Sequence, residues 1–138
     1  QKFINSNYQF FLKLRSKPWV SRKDFESYFR KMIDISLIKN PKIRIVIIKI
    51  GPPCHDFLKK VPAISKYVSE YNKVIDFLSE DVNYQGRVQV IDPYLGQVPE
   101  QVMIADGHHL SMLGHSLVQQ SLLATGIFSD VKMKVNLN

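Results

Sequence analysis

The sequence predicts an α/β domain built on a parallel sheet, and three observations predict it. Two helical patterns alternate with two short runs rich in Ile and Val. The first of those runs is apolar almost without interruption, as in a parallel strand covered on both faces. The 138 residues, 45% hydrophobic and 22% charged, have the balance of one globular domain. Helix-strand-helix-strand order favours a parallel sheet joined by right-handed crossovers.

Taken in order, Lys2 to Arg15 mixes Phe3, Tyr8, Phe10 and Phe11 with Lys13 and Arg15. Helical spacing of the apolar positions predicts a short amphipathic helix; a second reading stacks the aromatics on nucleic-acid bases. Ser21 to Lys39 is the clearest helix. Ser21 caps it, Asp24 favours its N-terminal dipole, and Phe25, Phe29, Met32, Ile33 and Leu37 form its apolar stripe. Asn40-Pro41 stops it. Ile43 to Ile50 is the first strand, with Arg44 and Lys49 near its ends, where long side chains reach water. Gly51-Pro52-Pro53 breaks that strand. In an open α/β sheet the loop beyond a strand's carboxyl end faces the binding crevice, so Gly51, Pro52 and Pro53 are candidate pocket residues.

Ile64 to Glu80 predicts a second helix, Arg87 to Asp92 a second strand, Gly96 to Ala105 a loop, and Leu110 to Ala124 a last helix closed by Gly126. Phe128 to Val135 could add an edge strand. No internal repeat or low-complexity linker divides the chain.

The chemistry concentrates in Ala105-Asp106-Gly107-His108-His109-Leu110-Ser111-Met112-Leu113-Gly114-His115. Asp106 and His109 stand three residues apart at the entry to a helix, the spacing that holds a carboxylate against an imidazole. The carboxylate then fixes the tautomer while the ring moves the proton. His108 reads as a partly exposed loop side chain and His115 as structural. On spacing alone, a loop carboxylate beside a helix-capping histidine competes with the catalytic reading.

This block, Asp-Gly-x-His-Leu-Ser-x-x-Gly-His, resembles the last block of the SGNH (GDSL-like) hydrolases, esterases and lipases whose Asp and His complete a Ser-His-Asp triad. Lys17-Pro18-Trp19-Val20-Ser21 with Asp24-Phe25-Glu26, the run Ile43 to Pro53, and Tyr71-Asn72-Lys73-Val74-Ile75 resemble earlier parts of the same family in the same order. The resemblance implies a three-layer SGNH or flavodoxin-like sandwich with a parallel sheet, incomplete at its N-terminus, and hydrolysis of a carboxylic ester. Asp106 and His109 would be its catalytic residues. The sequence holds no Gly-Asp-Ser and no Gly-x-Asn-Asp, so nucleophile and oxyanion hole are unassigned. Opening at Gln1, the chain reads as the C-terminal part of a single domain, active only in a longer form. The alternatives are an SGNH-like module without catalysis that binds nucleic acid or a protein, and an unrelated α/β interaction domain.

Composition narrows the partners. Cys54 is the sole cysteine, which excludes an internal disulfide; it reads as a small semi-buried hydrophobe, with a Cys54-His55 reactive thiol as the lesser alternative. Metal-ligand spacings are lacking, and no metal or cofactor is expected. Net charge is +7, with fourteen Lys/Arg against four Asp/Glu in residues 1–60 and five against eight thereafter. The cations are scattered, which points to a solvated surface and to a small-molecule or acylated ester substrate, with no specific nucleic acid. No apolar run reaches the ~20 residues of a membrane span. Location stays open, with the cytoplasm favoured.

Overall fold

The computed structural model describes Pro18, residues 20–107 and residues 109–128. The readings placed on Lys2 to Arg15, on His108 and on most of Phe128 to Val135 lie outside the described residues. Helix α1 spans Arg22–Lys39, strand β1 Ile45–Ile48, α2 His55–Lys60, α3 Ile64–Ser79, strand β2 Val88–Ile91, α4 Pro99–Val102 and α5 Met112–Ala124. A 3-10 turn, Val82–Tyr84, leads into β2.

Local chemistry sets the helix limits. Ser21 is the N-cap of α1: its hydroxyl accepts from the Asp24 backbone N–H at 3.1 Å and donates to the Asp24 carboxylate at 2.7 Å. At the other end the Asn40 N–H closes on the Ser36 carbonyl. Ser111 caps α5 in the same way, accepting from Gly114 N–H. Gly126, at φ +66°, sits just past the α5 C-cap Thr125 and favours the left-handed turn that ends it.

The sheet has two strands among the described residues, β1 and β2, parallel, with Ile45 opposite Val88 and Ile48 opposite Ile91. The three-layer SGNH or flavodoxin-like sandwich is therefore corrected to a small open α/β fold. The Ile43–Ile50 run is as apolar as a central strand, yet only four of its residues enter the ladder, and a run's apolarity does not supply the neighbours that would make it central. Helix α4, four residues long, lies in the Gly96–Ala105 segment read as loop, and α2, six residues long, in a segment where the sequence predicts no helix. They are too short to show a helical period.

Two apolar clusters hold this arrangement. In the first, Ile33 of α1 and Val74, Ile75 and Leu78 of α3 pack with Ile47, Val88 and Tyr84. Both long helices thus lie over one face of the sheet. Phe25 stacks on Tyr71 at 4.5 Å between ring centroids, and the Tyr71 hydroxyl donates to the Val20 carbonyl, tying the start of α1 to α3. Arg30 links α1 to the 3-10 turn after α3 through Asp81 at 2.7 Å and lies over the Phe77 ring of α3. In the second cluster Cys54, Tyr94, Val102 and Met103 are buried, with Ile48, Phe57, Leu110, Leu117 and Val118 against them. Alternation along β1 sends Ile47 to the first cluster and Ile48 to the second.

No helix among the described residues is long and apolar enough to cross a membrane.

Candidate functional site

The second cluster lies where β1 and β2 run out, and the Asp106 loop is built on it. Met103 and Leu110 form an isolated antiparallel bridge, closed by Ile104 N–H to the His109 carbonyl at 2.9 Å and by Ser111 N–H to the Val102 carbonyl at 2.9 Å. Between these ends the chain must reverse in a few residues. Gly107, at φ +82°, supplies the left-handed step, and a Cβ there would overlap the Phe57 side chain and lie 2.9 Å from Cys54 Sγ. At the start of α5, Gly114 lets the helix approach the Val102 carbonyl, which a Cβ would strike. The Gly-His step of the sequence is thus a packing device, and His115 sits beyond it on α5.

Asp106 and His109 meet as their spacing predicts. Asp106 Oδ1 accepts the His109 backbone N–H at 3.0 Å, and Oδ2 lies 2.5 Å from His109 Nδ1. One carboxylate therefore fixes both the backbone and the ring of the same residue. If Nδ1 carries the proton in this contact, the lone pair of the neutral ring is on Nε2, the nitrogen turned away from Asp106. The pair faces water: the Asp106 side chain is 36% exposed and that of His109 67%.

Beside this loop opens a cleft of about 350 Å³. Gly51 and Pro53 line it together with Phe57, Tyr94, Gly107 and Leu110. The loop after β1 and the Asp106 loop both contribute to its wall. Pro52, Asp106 and His109 are not among the cleft's lining residues; Gly107 and Leu110, the neighbours of the pair, are. Asn72 holds the Gly51 loop in place, its side chain accepting from Ile50 N–H at 2.8 Å and donating to the Ile50 carbonyl at 2.9 Å. Lys49, also on the cleft, is fixed by Asp76 at 2.8 Å and, more loosely, by Asp92 at 3.8 Å. Burial, with some help from Asp92, pushes the Tyr94 phenol above its usual range, so it stays a neutral hydroxyl. Phe57, Tyr94 and Leu110 carry no sequence pattern that marks them as cleft residues; they come together through the packing of three loops.

A second hollow, about 380 Å³, has Cys54, His55, Glu100 and Ala105 in its wall. Glu100 accepts from the His55 backbone N–H at 2.9 Å, which with its own backbone N–H holds its carboxyl below the usual range. Cys54 is buried in the apolar cluster, as its reading as a small hydrophobe implies. No group of three or more His, Cys, Asp or Glu that could hold a metal ion occurs among the described residues.

The arrangement does not make a hydrolase of the expected type. Ser111 donates to the Gln101 carbonyl and caps α5, and Ser116 accepts from Gln120 at 3.3 Å, so the two serines nearest in sequence are committed to α5 and its entry. Among the described residues there is no triad and no oxyanion-type cluster, and the multi-strand sheet that such enzymes are built on is lacking. The carboxylic-ester hydrolase reading, and with it the assignment as an SGNH-type enzyme, is overturned. No protein-family model, no curated protein and no solved structure matches the chain, which removes the SGNH resemblance as a basis for assigning its family.

Proposed function

We propose that this chain is a small ligand-binding α/β module in which Asp106 orients His109 as a proton-accepting group beside the apolar cleft. The observation that carries the reading is the two-point grip of Asp106 on His109; with the proton on Nδ1 in that contact, Nε2 is the acceptor. A carboxylate placed only to organise the loop needs the backbone contact alone. The contact to Nδ1 adds control of the ring. Gly51, Pro53, Phe57, Tyr94 and Leu110 suit the apolar body of a small molecule, and the reading has a hydroxyl on that molecule reach out past Leu110 to the neighbouring His109 imidazole. The scattered cations give no tract for specific nucleic-acid recognition, so a small molecule is the partner this reading names.

The test is a titration of the chain with p-cresol, an apolar ring bearing one hydroxyl, followed by amide and histidine-ring NMR shifts. Saturable shifts at Gly51, Phe57, Gly107 and Leu110 should appear together with a shift at His109 Nε2. His109→Ala should weaken binding by about three- to tenfold, the worth of one hydrogen bond. His115→Ala should leave it unchanged. Absence of saturable binding, or binding in the cleft that ignores His109, overturns the proposal.

A further inference from the structure

At the opposite end of the sheet, where β1 and β2 begin, Arg44 and Arg87 stand one residue before the paired positions Ile45 and Val88. Continuing that register backwards makes the two arginines neighbours across the parallel pair, an unfavourable placement for like charges. They line a groove of about 170 Å³ with Val46, Gly86, Gln89 and Ile127, and among the described residues no acidic side chain is in its wall. Arg87 is anchored: its Nε donates to the Ile43 carbonyl at 2.9 Å. Its Nη2, in contrast, is shut off from solvent and has no hydrogen-bond acceptor among the described residues. A guanidinium nitrogen that is buried without an acceptor is costly, and such a group calls for a partner beyond the described residues. Arg44 forms no ion pair among the described residues. Half-buried Arg30 shows the contrast, with Glu26 and Asp81 both at its guanidinium.

We propose that Arg44 and Arg87 form an anion site for a phosphate group, free or carried on a small ester. Two adjacent guanidinium groups favour a dianion over a carboxylate, and the planar fork of arginine matches phosphate oxygens. The bound group relieves the repulsion between the arginines and gives Arg87 Nη2 its acceptor after a small swing of the guanidinium about its anchored Nε. The short groove admits one such group and excludes a polymer track.

The test is NMR titration of the chain at low salt with inorganic phosphate and, separately, with β-glycerophosphate. Saturable shifts are expected at the Gly86, Arg87 and Gln89 amides and at the Arg87 side-chain N–H. Arg44→Gln, which leaves the Ile43 anchor intact, should weaken binding about tenfold or more. Arg87→Lys, checked for fold by its amide spectrum, should weaken it as well, because an ammonium cannot keep both the anchor and the fork. Tighter binding of the ester than of phosphate assigns the site to an ester-borne group, and the reverse assigns it to free phosphate. Shifts that fail to saturate, that spread over Lys31, Lys39 and Lys42 instead, or that survive Arg44→Gln undiminished overturn the proposal.

Discussion

Gly107→Ala should be among the most damaging single-methyl changes available in the site loop, and its cost can be built from two separable parts. At φ +82° an alanine pays the left-handed penalty of about 1–2 kcal/mol. Its Cβ would also overlap Phe57 Cβ and lie 2.8 Å from Phe57 Cγ and 2.9 Å from Cys54 Sγ, inside the buried second cluster. Overpacking of that kind adds about 1–3 kcal/mol. The sum is about 2–5 kcal/mol, a large part of the roughly 5–15 kcal/mol that holds a domain folded. Gly86 and Gly96 provide the comparison, since their φ values of +73° and +75° match while nothing lies within 4 Å of a Cβ at either position. Gly86→Ala and Gly96→Ala should therefore cost only the backbone part, about 1–2 kcal/mol. At about 4 °C per kcal/mol for a chain of this size, thermal unfolding followed by circular dichroism should place Gly107→Ala some 8–20 °C below the parent and the two controls about 4–8 °C below it. Equal losses for all three variants would show that the loop is not packed against Phe57 and Cys54 and would refute the reasoning.

Two further outcomes follow from contacts elsewhere. Asn72→Ala removes both bonds to the Ile50 backbone and should cost about 1–3 kcal/mol in denaturant unfolding, with amide exchange rising at Ile50 and Gly51; unchanged exchange there would mean that Asn72 does not hold the cleft wall. The Arg30 side chain, aided by the Asn83 N–H, holds the Asp81 carboxyl below its usual range, so its contribution is complete above the unfolded carboxylate value of about 3.9 and is lost as pH falls through the lower folded value. Melting temperature should therefore drop in acid below about pH 4, and Asp81→Asn should lower stability at neutral pH while flattening that acid dependence; an identical acid slope in the variant would remove Asp81 as a source.

The parts of the fold that were legible in the sequence are those specified by neighbours along the chain. Ser21 and Asp24 announce the start of α1, and Phe25, Phe29, Ile33 and Leu37 mark its inward stripe, whereas Met32, read into that stripe, is exposed. For α3, observed from Ile64 to Ser79, the three-to-four-residue recurrence covered the whole helix and overran it by one residue, the C-cap Glu80. Both strands lie within their Ile/Val-rich runs, each trimmed at the ends. The size of the sheet is a different matter: the apolarity of Ile43 to Ile50 describes the strand's surroundings without saying which segments provide them. The site divides along the same line. Asp106 and His109 are three residues apart with a glycine between them, so their contact is local and could be read directly. Phe57, Tyr94 and Leu110 reach the cleft only through tertiary packing, and Arg44 and Arg87 become neighbours only through the strand register. The triad was supplied by the family resemblance, and it failed with the resemblance.

The central claim is that Asp106 sets the state of the His109 ring, and the ring's tautomer reports it directly. Long-range proton–nitrogen correlation spectra of the histidines, recorded at a pH where the rings are neutral, should show His109 with its proton on Nδ1 and the lone pair on Nε2, and Asp106→Ala should move the proton toward Nε2 while the amide spectrum outside residues 103–110 stays in place. A parent protein with the His109 proton on Nε2, or a tautomer that does not respond to the loss of Asp106, would contradict the account.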